Sequence, residues 1–246
     1  MCGIVGIISN DWQDKIKACS EMIAHRGPDD NGIYVEGNLA LAHHRLTIIE
    51  LTKLGHQPME SADGNLVIVF NGEIYNHQEI RAGIGYRYPF RSNSDTETIL
   101  AGYEIYGTDI FAKLNGIFAI AIYKKSDKQL VLARDPFGVK PLYYYCKNGE
   151  LFFSSEIKSF LKIPNWDRSL DYKALMNYLH FLYSPGNRTP FLNIKKFPPG
   201  HYSEINTAHP LNINFKKYYQ IPFNGQRLSI TEKDAIEQVD SALTNA

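Results

Sequence analysis

The chain has 246 residues and a mass of 28.0 kDa, and its 26 Lys and Arg residues are balanced by 26 Asp and Glu residues. This balance and a pI of about 7.1 argue against a general nucleic-acid binder, because such proteins need an excess of cations. Hydrophobic residues (44%) and charged residues (21%) lie in the range of folded globular domains and exclude a disordered chain.

The same composition limits the cellular context. Cys2, Cys19 and Cys146 are too few and too scattered to predict a disulfide framework or a zinc site, and an odd number of cysteines fits a reducing compartment. No run of eighteen apolar residues predicts a membrane span, and the first residues lack the cationic region of a secretory signal. We therefore expect a cytoplasmic protein with no metal, no membrane contact and no nucleic-acid partner.

In chain order, the pattern predicts a buried strand at 3–8, a helix over 16–24 and an apolar strand at 66–70 that ends at Asn71-Gly72. A helix is predicted over 95–106, with Ser94 or Asp95 as its N-cap. Two hairpins follow within 117–134 and 142–154, and a helix is expected over 172–183. Many antiparallel strands with helices between them favour an α+β fold over a doubly wound parallel sheet.

The last part of the chain has a helical pattern. A sequence resembling a capping box begins at Thr231, and Ile236, Val239 and Leu243 follow on one helical stripe. We expect one main domain over residues 1–220, followed by a connection and the start of a further helix over 221–246.

Cys2 follows the initiator Met, which is normally removed before a small residue. As the mature N-terminus, Cys2 would carry a thiol with a pKa of about 8.5 and an α-amine with a pKa of about 7.7–8.0. The amine could then act as the base for its own thiol. A buried, inert residue is the commoner fate of a cytosolic cysteine, and position alone favours that interpretation.

An ordered set of motifs favours the nucleophile over the inert residue for Cys2. It comprises Met-Cys-Gly-Ile-Val-Gly at 1–6, His-Arg-Gly-Pro-Asp-Asp at 25–30, His-His-Arg-Leu-Thr-Ile at 43–48, Gly-His-Gln-Pro-Met at 55–59, Asn-Gly-Glu-Ile-Tyr-Asn-His at 71–77, Ser-Asp-Thr-Glu at 94–97, Arg-Asp-Pro-Phe-Gly-Val-Lys-Pro-Leu at 134–142 and Ser-Ser-Glu-Ile-Lys at 154–158. Over roughly residues 2–205 the chain resembles the glutaminase domain of class II glutamine amidotransferases, in particular the asparagine synthetase (glutamine-hydrolysing) branch.

This resemblance implies the N-terminal-nucleophile hydrolase fold, a four-layer αββα sandwich with two antiparallel sheets. It also implies hydrolysis of the glutamine side-chain amide to glutamate and ammonia through a thioester on Cys2. Residues 1–220 would then be the glutaminase domain.

Two donors for an oxyanion hole are available at Asn71 and Gly72, through a side-chain N–H and a backbone N–H that no Cβ obstructs. The resemblance gives these two residues that role. Asn-Gly is also a common turn pair, and taken alone it would be read as a turn. Beside Cys2 and Glu73, we interpret it as part of the site.

Free glutamine carries an α-carboxylate and an α-ammonium. Arg45 can bind a carboxylate in a bidentate manner, and Glu73 and Asp95 can bind the ammonium, as the resemblance also implies. The alternatives are a surface salt bridge for Arg45 and a helix N-cap for Asp95. The resemblance adds backbone groups near three residues to the pocket and two supporting residues beside the nucleophile: Leu46, Ile48, Ile49, Arg26 and Gly27.

Other candidates have structural interpretations. Adjacent side chains on a strand point to opposite faces, so His43-His44 predicts packing and not a metal site. His56 is expected to be structural, and Cys19 and Cys146 are expected to be core residues. The segment 134–142 is interpreted as scaffold close to the active site, because its Pro and Gly residues fix a turn.

Members of the branch usually continue into an ATP-pyrophosphatase domain, and its phosphate-binding Ser-Gly-Gly-x-Asp-Ser loop does not occur in this sequence. ATP and Mg²⁺ are therefore expected only in such a synthetase domain, covalently attached or separate. Asparagine is the leading product, with a sugar acid or another carboxylate as an alternative acceptor. A non-catalytic glutamine-binding or regulatory domain, another N-terminal-nucleophile hydrolase such as an acylase, and association of copies into a homo-oligomer stay open.

Overall fold

The computed structural model describes residues 1–223, 225–227 and 229–244. In this part of the chain, twelve strands form two six-stranded sheets in which every pairing is antiparallel. The strands are β1 (Gly3–Ile8), β2 (Asp30–Glu36), β3 (Leu39–Arg45), β4 (Met59–Glu60), β5 (Leu66–Ile74), β6 (Gly116–Lys124), β7 (Gln129–Arg134), β8 (Tyr143–Lys147), β9 (Glu150–Ser154), β10 (Ile194–Lys196), β11 (His201–Asn206) and β12 (Phe215–Lys217). The helices are α1 (Gln13–Glu21), α2 (His77–Ile84), α3 (Asp95–Tyr106), α4 (Tyr172–Phe181) and α5 (Glu232–Thr244).

The strand order is β10-β8-β9-β1-β3-β2 in the first sheet and β12-β11-β7-β6-β5-β4 in the second. Alternate residues of both sheets fill the space between them, for example Ile4 and Leu41 from the first sheet and Val69 and Leu132 from the second. The central strands are therefore covered on both faces, which explains their nearly continuous apolar sequences.

Helices cover the outer faces of the two sheets. Ile16 and Cys19 of α1 pack on the first sheet against Val5 and Ala42. On the other side, residues of α3 such as Ile99 pack on the second sheet. The layers follow in the order helix, sheet, sheet, helix, and the predicted four-layer α+β sandwich is confirmed.

Several local predictions agree with the structure. Helix α3 has the predicted bounds and is capped by Ser94, whose hydroxyl accepts the Thr96 N–H at 3.1 Å. The β8–β9 hairpin turns at Asn148 and Gly149, which both have positive φ (52° and 79°), as a two-residue hairpin turn requires.

The predicted end of the strand at Asn71 is wrong. Strand β5 continues to Ile74, and Asn71 and Gly72 pair with Ala119 and Phe118 of β6. Pairing with β6 thus overrides the local turn preference of Asn-Gly, so the two residues are held inside a sheet and not in a flexible turn.

The C-terminal part is packed differently. Among the described residues of α4 only Ala174 is buried, and α5 has no buried residue. The N-terminus of α5 has the predicted cap, since the Thr231 hydroxyl accepts the Asp234 N–H at 3.2 Å. Within the described ranges, none of the helices combines the length and the apolar character that a membrane-spanning helix needs.

Candidate active site

Strand alternation brings the candidate nucleophile and the candidate oxyanion residue face to face. On β1, Ile4 and Ile8 face the second sheet, and Cys2 has the same parity just before the strand. On β5, Val67 and Val69 face the first sheet, and Asn71 follows with the same parity. Both side chains therefore lie between the sheets at the same end of the sandwich.

A cavity opens to solvent at this end of the sandwich. It is lined by all nine residues predicted to be catalytic or substrate-binding: Cys2, Arg45, Leu46, Ile48, Ile49, Asn71, Gly72, Glu73 and Asp95. The fold therefore brings together Cys2, just before β1, with residues from β3, β5, α3 and the loop that follows β3.

The Cys2 thiol lies against the backbone of Leu46. Its Sγ accepts the Leu46 N–H at 3.4 Å and is 3.6 Å from the Leu46 carbonyl oxygen. Burial raises the pKa of the Cys2 thiol, while the Leu46 N–H, the chain's α-amine and Arg45 act in the opposite direction. Activation of this thiol therefore needs a base close to it.

Arg26 and Gly27 lie behind the nucleophile and do not line the cavity. The Arg26 Nε donates to the Cys2 carbonyl at 2.9 Å, and its Nη1 forms an ion pair of 2.8 Å with Glu156. A Cβ at Gly27 would collide with the backbone of His44 and Arg45. Gly27 therefore allows this turn to approach β3 closely, and Arg26 fixes the Cys2 backbone.

Asn71 is fully buried, and neither its Nδ2 nor its Oδ1 has a hydrogen-bond partner in the described part of the chain. A buried amide without partners is costly, and its position in the cavity wall makes a bound ligand the natural partner. At Gly72, a Cβ would collide with the Ile117 carbonyl and lie 2.8 Å from the Phe118 Cα. Glycine is thus required there by the close approach of β6.

Arg45 is buried, which excludes the surface salt bridge considered above. Its Nη1 donates to the Thr52 carbonyl at 3.0 Å, and its Nη2 donates to the Glu50 carbonyl. These bonds hold the loop after β3 over the cavity. A guanidinium has five N–H donors, so donors are left for a ligand carboxylate.

Asp95 has a double role in the structure. Its Oδ2 accepts the Ile74 N–H at 3.1 Å and its Oδ1 accepts the Thr96 N–H at 2.9 Å, which joins the start of α3 to the end of β5. Burial raises the pKa of Asp95 to about 6, although both N–H groups oppose the shift and nearby Glu73 supports it. An ammonium group bound beside it would favour the ionised form.

Sequence reasoning assigned no site role to several polar residues of the cavity wall, and two of them, Lys140 and Gln57, lie in loops. Lys140 was assigned to scaffold, yet it lines the cavity and is only 9% exposed. Gln57 also lines the cavity, and its buried side chain bonds to the Phe70 N–H and to the Thr96 hydroxyl. Isolated polar residues in loops have no local signature that distinguishes a cavity wall from a solvated surface.

The histidines and remaining cysteines lie in structural surroundings. His43 and His44 point to opposite faces of β3: the first bonds to the Phe70 carbonyl between the sheets, the second to Ser20 of α1 at 2.9 Å. His56 pairs with Asp30 on the surface. Burial raises the pKa of Cys19 to about 12 and that of Cys146 to about 11. Across the described residues, no group of three or more His, Cys, Asp or Glu side chains has metal-binding geometry.

Comparison with known proteins gives a family. The family model described as "Glutamine amidotransferase domain" matches residues 1–219. The chain is 38% identical to asparagine synthetase (glutamine-hydrolyzing) 1 of Bacillus subtilis (strain 168) over 244 residues, which cover 96% of this chain and 38% of the relative. It is also 38% identical to asparagine synthetase B (glutamine-hydrolyzing) of Escherichia coli (strain K12) over 169 residues, covering 66% of this chain and 30% of the relative. The chain thus spans less than half the length of these relatives.

A further relative has a different name: amidase chry2 of Gibberella zeae is 35% identical over 235 residues, covering 85% of this chain and 34% of the relative. Among solved structures, glutamine phosphoribosylpyrophosphate amidotransferase from Bacillus subtilis superimposes with a TM-score of 0.66 at 17% identity, covering 89% of this chain and 50% of that chain. That structure shares the fold. The match over most of the sequence agrees with the motifs and with the cavity they line, and this chain belongs to the glutamine amidotransferase domain family.

Proposed function

We propose that this domain hydrolyses the side-chain amide of glutamine, with Cys2 as the nucleophile, and releases glutamate and ammonia. The observation that carries the proposal is that a half-buried Cys2 thiol and an Asn71 amide with no partner among the described residues lie between the sheets in the wall of one cavity. Amide hydrolysis needs a nucleophile opposite an oxyanion donor, and this cavity offers both.

In the proposed reaction, Met1 is removed first and Cys2 supplies both a thiol and an α-amine. The amine takes the thiol proton, and the sulfur attacks the amide carbon to form a tetrahedral oxyanion. Asn71 Nδ2 and the Gly72 N–H stabilise that oxyanion. The C–N bond breaks as the amine returns the proton to the leaving nitrogen, so ammonia and a γ-glutamyl thioester result. Water, activated by the same amine, cleaves the thioester to glutamate and the free thiol.

Recognition of glutamine is assigned to the charged residues in the cavity wall. Arg45 binds the α-carboxylate, while Asp95 and Glu73 bind the α-ammonium. Leu46, Ile48 and Ile49 line the remaining wall through the loop that Arg45 holds in place. Burial of Arg45 and Asp95 supports this assignment, because two buried and opposite charges suit a zwitterion.

We propose that an ATP-dependent synthetase domain uses the ammonia, with asparagine synthesis as the leading candidate reaction. The proposed location is the cytoplasm. Two of the relatives above are named asparagine synthetases, and both are more than twice as long as their matched part. The exposed apolar side chains of α4, among them Met176, Leu179 and Phe181, support a protein partner, since patches of this kind are typical of interaction surfaces. ATP and Mg²⁺ would bind in that partner domain.

The first test is glutamate release from glutamine by the wild type and by Cys2→Ala, with intact mass measured to establish loss of Met1. We expect a loss of at least ~10³-fold in Cys2→Ala, because removing a nucleophile removes the whole covalent route. Cys146→Ala is the matched control, since Cys146 is half-buried and lies outside the cavity, and it should keep wild-type activity.

Equal activity of the wild type and Cys2→Ala would refute the nucleophile assignment. A preparation that retains Met1 should be inactive, because its Cys2 nitrogen is an amide and cannot act as a base. Full activity with Met1 retained would refute the role of the α-amine and leave Cys2 dependent on another base.

A further inference from the structure

The peptide groups directly before the oxyanion residue are held by side chains, not by a neighbouring strand. Phe70 precedes Asn71 on β5, and its N–H donates to Gln57 Oε1 at 2.7 Å. The Phe70 carbonyl accepts a hydrogen bond from His43 Nε2 at 3.0 Å. Both backbone groups of one residue are therefore bound by two side chains from different segments.

The reason lies in the short β4 strand. In an antiparallel strand the N–H and C=O of one residue point toward the same neighbour. The pairing of β4 with β5 reaches only Ile68, opposite Met59, so Phe70 lies beyond it. Without hydrogen-bond partners, the N–H and the carbonyl of Phe70 would lower the stability of the fold. Gln57 and His43 supply the hydrogen bonds that a longer β4 strand would otherwise make.

Gln57 also connects β5 to the helix that carries Asp95. Its Nε2 donates to the Thr96 hydroxyl at 3.1 Å, and its side chain is buried. Thr96 directly follows Asp95, and Asp95 itself binds the Ile74 N–H further along β5. Gln57 therefore adds a second connection between β5 and the start of α3, beside the bond between Asp95 and Ile74.

His43 makes the corresponding connection to the first sheet. It is fully buried on β3, two residues before Arg45, and on the face that meets the second sheet. Burial lowers the pKa of His43 to about 3, so the ring is neutral at neutral pH. A carbonyl can only accept, so the single ring proton is on Nε2, directed at Phe70.

We propose that His43 and Gln57 are positioning residues that clamp the Phe70 peptide and thereby aim the Asn71 amide at the oxyanion formed on Cys2. This inference rests on the proposed glutaminase reaction. Neither residue touches the reacting atoms, and both act through Asn71. The clamp joins β3, β5 and α3, which carry Arg45, Asn71 and Asp95.

The expected signature is a fall in kcat with little change in KM. Asn71 acts on the transition state, and small misplacements of such a donor reduce the rate by about 10- to 100-fold. Gln57→Met removes both of its hydrogen bonds at similar volume, and His43→Leu removes the bond to the Phe70 carbonyl. His43→Gln keeps an Nε2 donor and should recover activity to within about threefold of the wild type.

The experiment measures kcat and KM for glutamine in these three variants, with and without Asn71→Ala. His44→Leu is the matched control: it removes a neighbouring histidine that bonds to Ser20 on the opposite face of β3. If the clamp acts through Asn71, Gln57→Met and His43→Leu should cause no further fall in kcat once Asn71 is replaced. Should His43→Leu fail to fold, Gln57→Met carries the same comparison.

The clamp would be refuted if Gln57→Met and His43→Leu lowered kcat equally with and without Asn71→Ala. A rise in KM with unchanged kcat would also refute it. An inactive wild type would refute the proposed function instead, and hydrogen exchange of the Phe70 amide would then decide on the clamp. This amide should exchange at least about tenfold faster in Gln57→Met than in the wild type. Unchanged exchange would show that Gln57 does not hold Phe70.

Discussion

Helices α3 and α4 have similar lengths but opposite relations to the rest of the fold. Nine of the twelve residues of α3 are buried, from Asp95 to Tyr103, whereas α4 buries only Ala174. The buried helix carries a cavity residue at its first position, and no residue of α4 lines the cavity. In this molecule, the packing of a helix decides whether it can hold a charged group in a defined place.

Burial of a charged group at the start of α3 disfavours its ionised form, as the pKa of Asp95 shows. Its carboxylate is desolvated and has a pKa of about 6, and it is retained beside Glu73 with two backbone N–H groups as partners. A surface helix such as α4 could not impose such surroundings, because water would solvate its charges. The difference predicts that substitutions in α3 change activity or stability strongly and that substitutions in α4 do not.

Among substitutions in these two helices, the largest effect is expected for Asp95→Asn. Loss of the carboxylate should raise KM for glutamine by roughly 100-fold, since a buried ion pair with the ammonium is replaced by a neutral contact. In the wild type, protonation of Asp95 has the same consequence, so KM should rise as the pH falls below about 6. The measurement is KM for glutamine between pH 5 and pH 8, a range chosen to bracket that pKa.

In Asp95→Asn this rise in KM toward low pH should be absent, because the titrating group has been removed. The same rise in the variant would assign the titration to a group other than Asp95. Glu97→Gln is the matched control. Glu97 is an equally buried carboxylate of α3, but it bonds to Arg91 and Ser92 and does not line the cavity.

A stability effect is expected next, from Leu100→Ala. Leu100 is fully buried in the cluster between α3 and the second sheet, so its truncation should lower the free energy of unfolding by about 2–5 kcal/mol. Urea unfolding at neutral pH measures the difference. Leu100→Met keeps the volume and should cost less than about 1.5 kcal/mol. A loss below about 1 kcal/mol for Leu100→Ala would mean that α3 is held less firmly than its burial indicates.

The sequence predicted the helices and strands better than it predicted which of them pair or pack together. Helix α3 follows from the Ser94 cap and a strong apolar pattern, which are local signals. The end of β5 was misjudged because Asn-Gly has a turn preference that only the distant strand β6 overrides. Pairing partners far apart in sequence are invisible to a local pattern.

Residues of the candidate site that belong to a recognisable motif could be predicted from the sequence. Residues that reach the site only through the fold could not. Cys2, Arg45, Asn71 and Asp95 came from motif resemblance, and the cavity unites them. The proposed roles of these residues are untested predictions. The hydrogen bonds of Gln57 depend on where β4 stops, which no local pattern of the sequence specifies.

The smallest effect is expected in α4, for Leu179→Glu. The Leu179 side chain is 73% exposed, so the substitution should change the free energy of unfolding by no more than about 0.5 kcal/mol. Glutaminase activity should be unchanged, because α4 is absent from the cavity wall. Urea unfolding and the activity assay, carried out on the same preparation, check both points. A loss above about 1 kcal/mol would mean that α4 is covered in solution, by the domain itself or by another copy, and would remove the contrast with α3.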